Sequence, residues 1–160
     1  MLKKILATLF TVLVIGIAII SLGKQPKPLP EGSESARMLV SQQYDVIRED
    51  LTLVDSSRST QSNKDFEGLD TRTLEASYWY PANGKGEIPK GKHPLLVYSH
   101  GFNSRRDSGE HIGEYLASNG YIVIAADFPL TNKHAPGGPM LKDVVNQPGD
   151  ATFLIDSAIT

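Results

Sequence analysis

Hydrophobic and polar positions along the chain follow two different strand patterns. Residues 44–54 and 72–80 alternate apolar with polar positions, imperfectly in the first case, and this period of two is typical of strands with one exposed face. Residues 95–99 and 121–126 are continuous apolar runs, which indicate strands buried on both faces. The pattern therefore predicts four strands, of which two have one exposed face and two are buried on both faces.

Helical spacing of apolar residues appears in two further segments. It predicts a helix over 110–118, with Ser108 as N-cap and Asn119-Gly120 as the stop, and a second helix over 150–159. Turn-forming residues predict loops over 55–70, 82–92 and 128–148. Strand, helix and strand in succession form a βαβ unit, so we predict an α/β fold with a mostly parallel sheet that these residues only partly build.

The N-terminus carries a separate apolar pattern. Lys3 and Lys4 precede 18 uncharged residues, Ile5 to Leu22, which as a helix would span about 27 Å, close to the core of a bilayer. The lysines favour a cytoplasmic N-terminus and an exported remainder. We predict a membrane anchor or signal peptide over 1–23, a Pro-rich extended linker over 24–40 and a domain over 41–160. The protein is then anchored on the extracytoplasmic side, or secreted if the segment is cleaved.

Composition narrows the class of protein. The 160 residues carry a net charge of −2, so nothing in the charge predicts a nucleic-acid partner. The absence of cysteine excludes disulfides, a thiolate nucleophile and cysteine zinc ligands. The four histidines lack ligand spacing, so neither a metal nor a cofactor is expected.

Candidate chemistry begins where the run 95–98 breaks into Ser99-His100-Gly101. A nucleophile elbow requires G-x-S-x-G with small flanking residues, but bulky Val97 stands in the first glycine position. A polar loop follows Gly101 in place of a helix, and no G-x-S-x-G occurs anywhere in the sequence. We therefore do not expect Ser99 to be a nucleophile. An HG element after a third strand is instead typical of a loop that supplies an oxyanion-hole N–H.

The segment YSHGFNSRRDSGEHIGEYLASNGYIVIAADFP resembles that of α/β-hydrolases related to platelet-activating-factor acetylhydrolases, dienelactone hydrolases and bacterial polyester-hydrolase-like esterases. The strand ending in YWYP and the helix DATFLID resemble theirs too, so the resemblance covers roughly 72–159. It implies that the Phe102 backbone N–H contributes to the oxyanion hole, while His100 and Gly101 hold the loop. It also implies a catalytic Ser, Asp and His downstream of the last helix, at positions that these 160 residues do not match.

Two functions follow as expectations. The first is the N-terminal portion of a membrane-anchored serine hydrolase that cleaves a small-molecule or lipid-like carboxylic ester. The alternative is a non-catalytic, membrane-tethered binding or interaction module derived from a hydrolase.

Several other polar residues have open interpretations. Asp127, at the end of a predicted strand, is either an acid of the site or a carboxylate that caps a loop. His134 either lines a pocket or is solvated, whereas His111 is expected on the helix surface. Arg105 and Arg106 are expected to be solvated loop residues.

Overall fold

The computed structural model describes residues 10–14, 28–40 and 42–159. The chain divides into two units, Met1–Met38 and Leu39–Thr160. Residues 10–14 are helical, but the rest of the predicted membrane segment lies outside the described residues. Within the described stretches, no helix combines the length and the apolar character needed to cross a bilayer. The predicted extended linker contains a short helix, α1 (Glu34–Val40), at whose start the Ser33 hydroxyl accepts the Ala36 N–H.

Four strands form one sheet in the order β1-β2-β4-β3. β1 (Asp45–Asp55) pairs antiparallel with β2 (Arg72–Ala82), and β2 pairs antiparallel with β4 (Ile122–Asp127). Only β3 (Leu95–Tyr98) and β4 run parallel. The predicted βαβ unit is therefore confirmed, whereas the sheet of the described residues is mixed and not mostly parallel, because β2 runs antiparallel to both of its neighbours.

The connection between β3 and β4 is the predicted crossover helix. A 3₁₀ turn, Arg106–Gly109, leads into α2 (Glu110–Ser118), and Asn119 with left-handed Gly120 (φ 93°) ends it. Ser108 does not cap this helix, because its hydroxyl donates to the Arg105 carbonyl. A second 3₁₀ turn, Leu141–Asn146, precedes α3 (Gln147–Ile159).

Helices α2 and α3 cover opposite faces of the sheet, since side chains alternate along each strand. The α3 face is formed by Leu74, Ala76, Ile124, Ala126, Phe128 and Leu154. The α2 face is formed by Trp79, Ala117, Val123 and Ala125. α2 lies very close to the sheet here: a Cβ at Gly113 would stand 2.5 Å from Cδ2 of Trp79. The sheet core is therefore covered on both sides.

The two apolar runs differ in burial. Residues Val123 to Ala126 of β4 are fully buried, as predicted. Residues of β3 are only half-buried, because β3 lies at the edge of the described sheet. An apolar run indicates a strand but does not by itself place it at the centre.

A buried ionic cluster ties the start of β2 to α3. The Arg72 guanidinium, 1% exposed, donates to both oxygens of Asp150 at 2.6 and 2.7 Å and to both oxygens of Asp143 at 3.2 and 2.7 Å. Arg58 adds a third bond to Asp150 at 2.9 Å and pairs with Asp55 at 2.6 Å. Burial disfavours the charge on Arg72, but the bonds from Asp150 and Asp143 raise its pKa. The sequence pattern did not predict this cluster.

Candidate functional site

The candidate site is the loop that follows β3, at the edge of the sheet where the parallel strands end. Its first residue, Ser99, is exposed, His100 is 3% exposed, and the Phe102 side chain is 48% exposed. The Ser104 N–H donates to the Gly101 carbonyl at 3.1 Å, which closes a turn around Phe102 and Asn103. The loop therefore projects Phe102 outward from a buried histidine.

His100 uses both ring nitrogens to fix the backbone. Its Nε2 accepts the Phe128 N–H at 3.2 Å, so the proton lies on Nδ1, which donates to the Gly101 carbonyl at 2.8 Å. The ring also packs against Phe128, with ring centroids 5.0 Å apart. Because both nitrogens are occupied by backbone groups, His100 is not placed to take a proton from Ser99.

The loop after β4 braces the candidate loop along its length. Asn103 donates its N–H to the Thr131 carbonyl at 2.9 Å, and Lys133 donates its N–H to the Ser104 carbonyl at 2.7 Å. Asn132 in turn donates its side-chain amide to the Phe128 carbonyl at 2.9 Å. The sequence predicted the segment 128–148 as a loop without assigning it a role, because backbone pairing between two loops leaves no periodic signal.

The Phe102 N–H makes no hydrogen bond within the part of the chain that the structure describes. The residue that needs an unusual backbone conformation is Asn103 (φ 59°), a residue type that tolerates the left-handed region. A Cβ at Gly101 would meet no atom within 4 Å, so the space around this turn is open. The geometry thus leaves one backbone donor unused beside open space.

Asp127 and Arg106 close the far end of the loop. Asp127 Oδ1 accepts the Arg106 backbone N–H at 2.8 Å, and Oδ2 accepts Nη1 of its guanidinium at 2.6 Å. Asp127 therefore caps the 3₁₀ turn from a distance in sequence. The expectation that Arg106 is solvated is wrong, although its neighbour Arg105 is exposed.

The Arg106 side chain also hydrogen-bonds to a polar cluster on β1 and β2. Its Nε donates to Oγ of fully buried Ser77 at 3.0 Å, and that hydroxyl donates to Asp50 at 2.5 Å. Arg48 reaches the same hydroxyl at 3.2 Å. The Ser77 hydrogen bond is the largest cause that lowers the pKa of Asp50, with Arg48 adding to it.

A concave pocket of about 260 Å³ lies beside the loop after β4. Apolar Phe66, Leu69 and Pro129 line it together with Asp127 and exposed His134, so His134 does line a pocket. His100, Gly101 and Phe102 are not among its lining residues. The candidate loop and the pocket are therefore neighbours, because Asp127 and the loop after β4 contact both.

Within residues 10–14, 28–40 and 42–159, the structure brings no histidine nitrogen within hydrogen-bond distance of a serine hydroxyl. His93 contacts the Gly120 and Pro89 carbonyls, His100 contacts backbone groups, and His111 is exposed as predicted. The same residues contain no group of three or more His, Asp or Glu side chains arranged to hold a metal ion.

Comparisons with known proteins agree with this architecture. Residues 57–132 match the model of the family described as platelet-activating factor acetylhydrolase, isoform II. No curated protein matches the sequence at a significant level. Together with the fold, the family match confirms the predicted resemblance of this chain to the N-terminal part of α/β-hydrolase esterases.

Among solved structures, an esterase has a similar fold. A ferulic acid esterase from Streptomyces cinnamoneus superposes with a TM-score of 0.58 at 23% identity, over 74% of this chain and 48% of that one. A hypothetical protein from Pseudomonas aeruginosa matches at a TM-score of 0.35 and 17% identity, over 65% of this chain and 26% of that one. The chain thus spans about half the length of the ferulic acid esterase.

Proposed function

We propose that this chain supplies the oxyanion loop of a serine hydrolase acting on carboxylic esters. The resemblance of residues 57–132 to an esterase-like α/β-hydrolase family supports this proposal. The unused Phe102 N–H, on a loop braced by β4, is the observation that carries the proposal. The matched family, a platelet-activating factor acetylhydrolase family, and the structurally similar ferulic acid esterase are both named for ester cleavage, which supports a small-molecule or lipid-like ester as the substrate class.

In the proposed reaction, a serine attacks the ester carbonyl and the carbonyl oxygen becomes negatively charged. The Phe102 N–H donates to that oxygen and stabilises the charge more than it stabilises the ground-state carbonyl. The serine, acid and histidine are proposed to lie C-terminal to residue 160, because residues 1–160 contain no G-x-S-x-G.

The experiment uses the protein as its native host produces it. A fluorophosphonate probe should label one serine outside residues 1–160, and Phe102→Pro, which removes the N–H, should lower kcat by about a hundredfold or more with little change in KM. Phe102→Ala is the matched control, since it truncates the side chain and keeps the N–H. Label on Ser99 would contradict the proposal. Absence of any labelled serine would favour the binding-module alternative.

We also propose that the N-terminal apolar run anchors the protein in a membrane with its domain on the extracytoplasmic side. The double variant Leu13→Arg/Ile17→Arg places two charges in the run, at a cost of roughly 5–7 kcal/mol for insertion. It should move the protein from the carbonate-resistant membrane pellet to the soluble fraction, whereas Leu29→Arg outside the run should not. A native wild-type protein that begins near residue 24 in the soluble fraction would indicate a cleaved signal peptide.

A further inference from the structure

We infer that Asp127 and Arg106 are positioning residues that set the direction of the Phe102 N–H. This inference rests on the proposed function, because it assigns a role within the same oxyanion loop. The starting point is the geometry of Asp127, whose two oxygens bind the backbone N–H and the guanidinium of Arg106 at 2.8 and 2.6 Å. With both oxygens engaged by one residue, Asp127 acts on the loop and is not placed as an acid for a histidine.

Asp127 is itself held by the sheet. It is the last residue of β4 and stands opposite Glu75 in the antiparallel register with β2. The adjoining residue, Phe128, donates its N–H to His100. The end of β4 therefore hydrogen-bonds to the chain on both sides of Phe102, at His100 and at Arg106.

Arg106 is fixed by a second residue, Ser77, in addition to Asp127. Its Nε donates to the buried Ser77 hydroxyl, which is anchored to Asp50 and Arg48. The side chains of Arg106 and Asp127 are 19% and 17% exposed, so water competes only partly for this ion pair. A rigid support of this kind lets a backbone donor keep its direction when charge develops on the substrate oxygen.

We call the Asp127–Arg106 pair, with its support from Ser77, the clamp. Breaking it should move the Phe102 N–H while Phe102 itself is unchanged. We expect Asp127→Asn and Arg106→Gln to lower kcat of the whole enzyme on p-nitrophenyl butyrate by ~10- to 100-fold, with KM changed less than about twofold. The affinity for a boronic acid that mimics the tetrahedral intermediate should fall by the same factor as kcat/KM. Arg106→Lys keeps the positive charge and should recover part of the loss.

Arg105→Gln is the matched control, because Arg105 is exposed and, among the described residues, its guanidinium pairs with Asp107 alone, at 3.7 Å. It should leave kcat unchanged. Thermal melting identifies any variant that fails to fold. The inference is then judged on the kcat of the clamp variants that do fold. Folded Asp127→Asn and Arg106→Gln proteins with kcat within twofold of wild type would overturn the inference.

A second readout separates this inference from the proposed function. Amide hydrogen exchange at Asn103 and Ser104, whose N–H groups bond to the Thr131 and Gly101 carbonyls on either side of the turn, should accelerate in Asp127→Asn and stay unchanged in Arg105→Gln, whether or not the protein cleaves esters. If the whole protein hydrolyses no ester but exchange accelerates, the clamp stands and the proposed function fails. Unchanged exchange at Asn103 and Ser104 would overturn the clamp itself.

Discussion

Single residues in this protein are fixed by bonds to backbone groups, both near and distant in sequence. His93 is one example: Nδ1 contacts the Gly120 carbonyl and Nε2 contacts the Pro89 carbonyl, both at 2.8 Å. Carbonyl oxygens only accept hydrogen bonds, so both contacts are satisfied together only by the protonated ring. His100 presents the opposite case, since one of its nitrogens must accept the Phe128 N–H. The backbone around His93 thus favours its protonated ring, whereas the backbone around His100 fixes the orientation of its ring.

This difference gives a pH prediction for His93. Hydrogen bonds to Pro89 first and Gly120 second raise its pKa above the ordinary value of 6.5. A raised folded-state pKa means that the stabilisation is fully present below the unfolded pKa and is lost as pH rises through the folded pKa. The free energy of unfolding of wild type, relative to His93→Gln, should therefore be larger at about pH 5.5 than at about pH 8.5.

Urea unfolding of both proteins at the two pH values measures this difference, and His111→Gln is the control because His111 is exposed. A parallel pH dependence in wild type and His93→Gln would contradict the predicted linkage.

At the scale of elements, a buried ionic cluster connects strand β2 to the 3₁₀ turn and the helix at the C-terminal end. The hydrophobic pattern predicts no contact between these elements. Arg72 begins β2, Asp143 lies in a 3₁₀ turn and Asp150 lies in the first turn of α3. The apolar contacts of Leu154 hold α3 against the sheet, but they do not by themselves fix its start. The cluster fixes it, because Arg72 reaches both carboxylates at once.

Arg72→Met should destabilise the protein by about 3–5 kcal/mol, since it leaves two buried carboxylates without their shared cation. Arg58→Met is the matched variant: it removes the other arginine of Asp150, is 30% exposed and should cost clearly less. Urea unfolding gives both values, and hydrogen exchange should locate the added opening in residues 141–159. Equal losses in the two variants would show that burial does not set the energy of this cluster.

At the scale of the whole molecule, the sheet has an uncovered edge. β3 pairs with β4 on one side only within the described residues, and its side chains are half-buried. A strand with unpaired backbone groups and apolar side chains readily pairs with another copy. The same edge adjoins the candidate loop, so association there would also cover the proposed site.

We therefore expect residues 42–160, produced alone, to associate with increasing concentration. Sedimentation velocity at two protein concentrations measures this, and Ser99→Lys, which adds a charge to the exposed end of the strand, should reduce it. A monomer at both concentrations with two-state melting would contradict the prediction and favour an independent module.

The sequence by itself determined the strands and the two longer helices of residues 42–159 and their α/β class. Apolar periodicity located the four described strands and both predicted helices within a few residues. Burial on one or two faces requires apolar residues at regular spacing, and this spacing is visible locally in the sequence. The position of Ser-His-Gly-Phe after the third strand likewise identified the candidate loop. These features are local, so neighbouring residues carry the information.

Only the tertiary structure decided how these pieces are arranged. It placed β3 at an edge, made the sheet mixed and showed that Asp127 caps the turn at Arg106, 21 residues away. Partners that meet only after folding, such as Arg72 with Asp150, leave no periodic signal in the chain. The direction of the Phe102 N–H belongs to this second group, because it depends on β4 and on the loop that follows it.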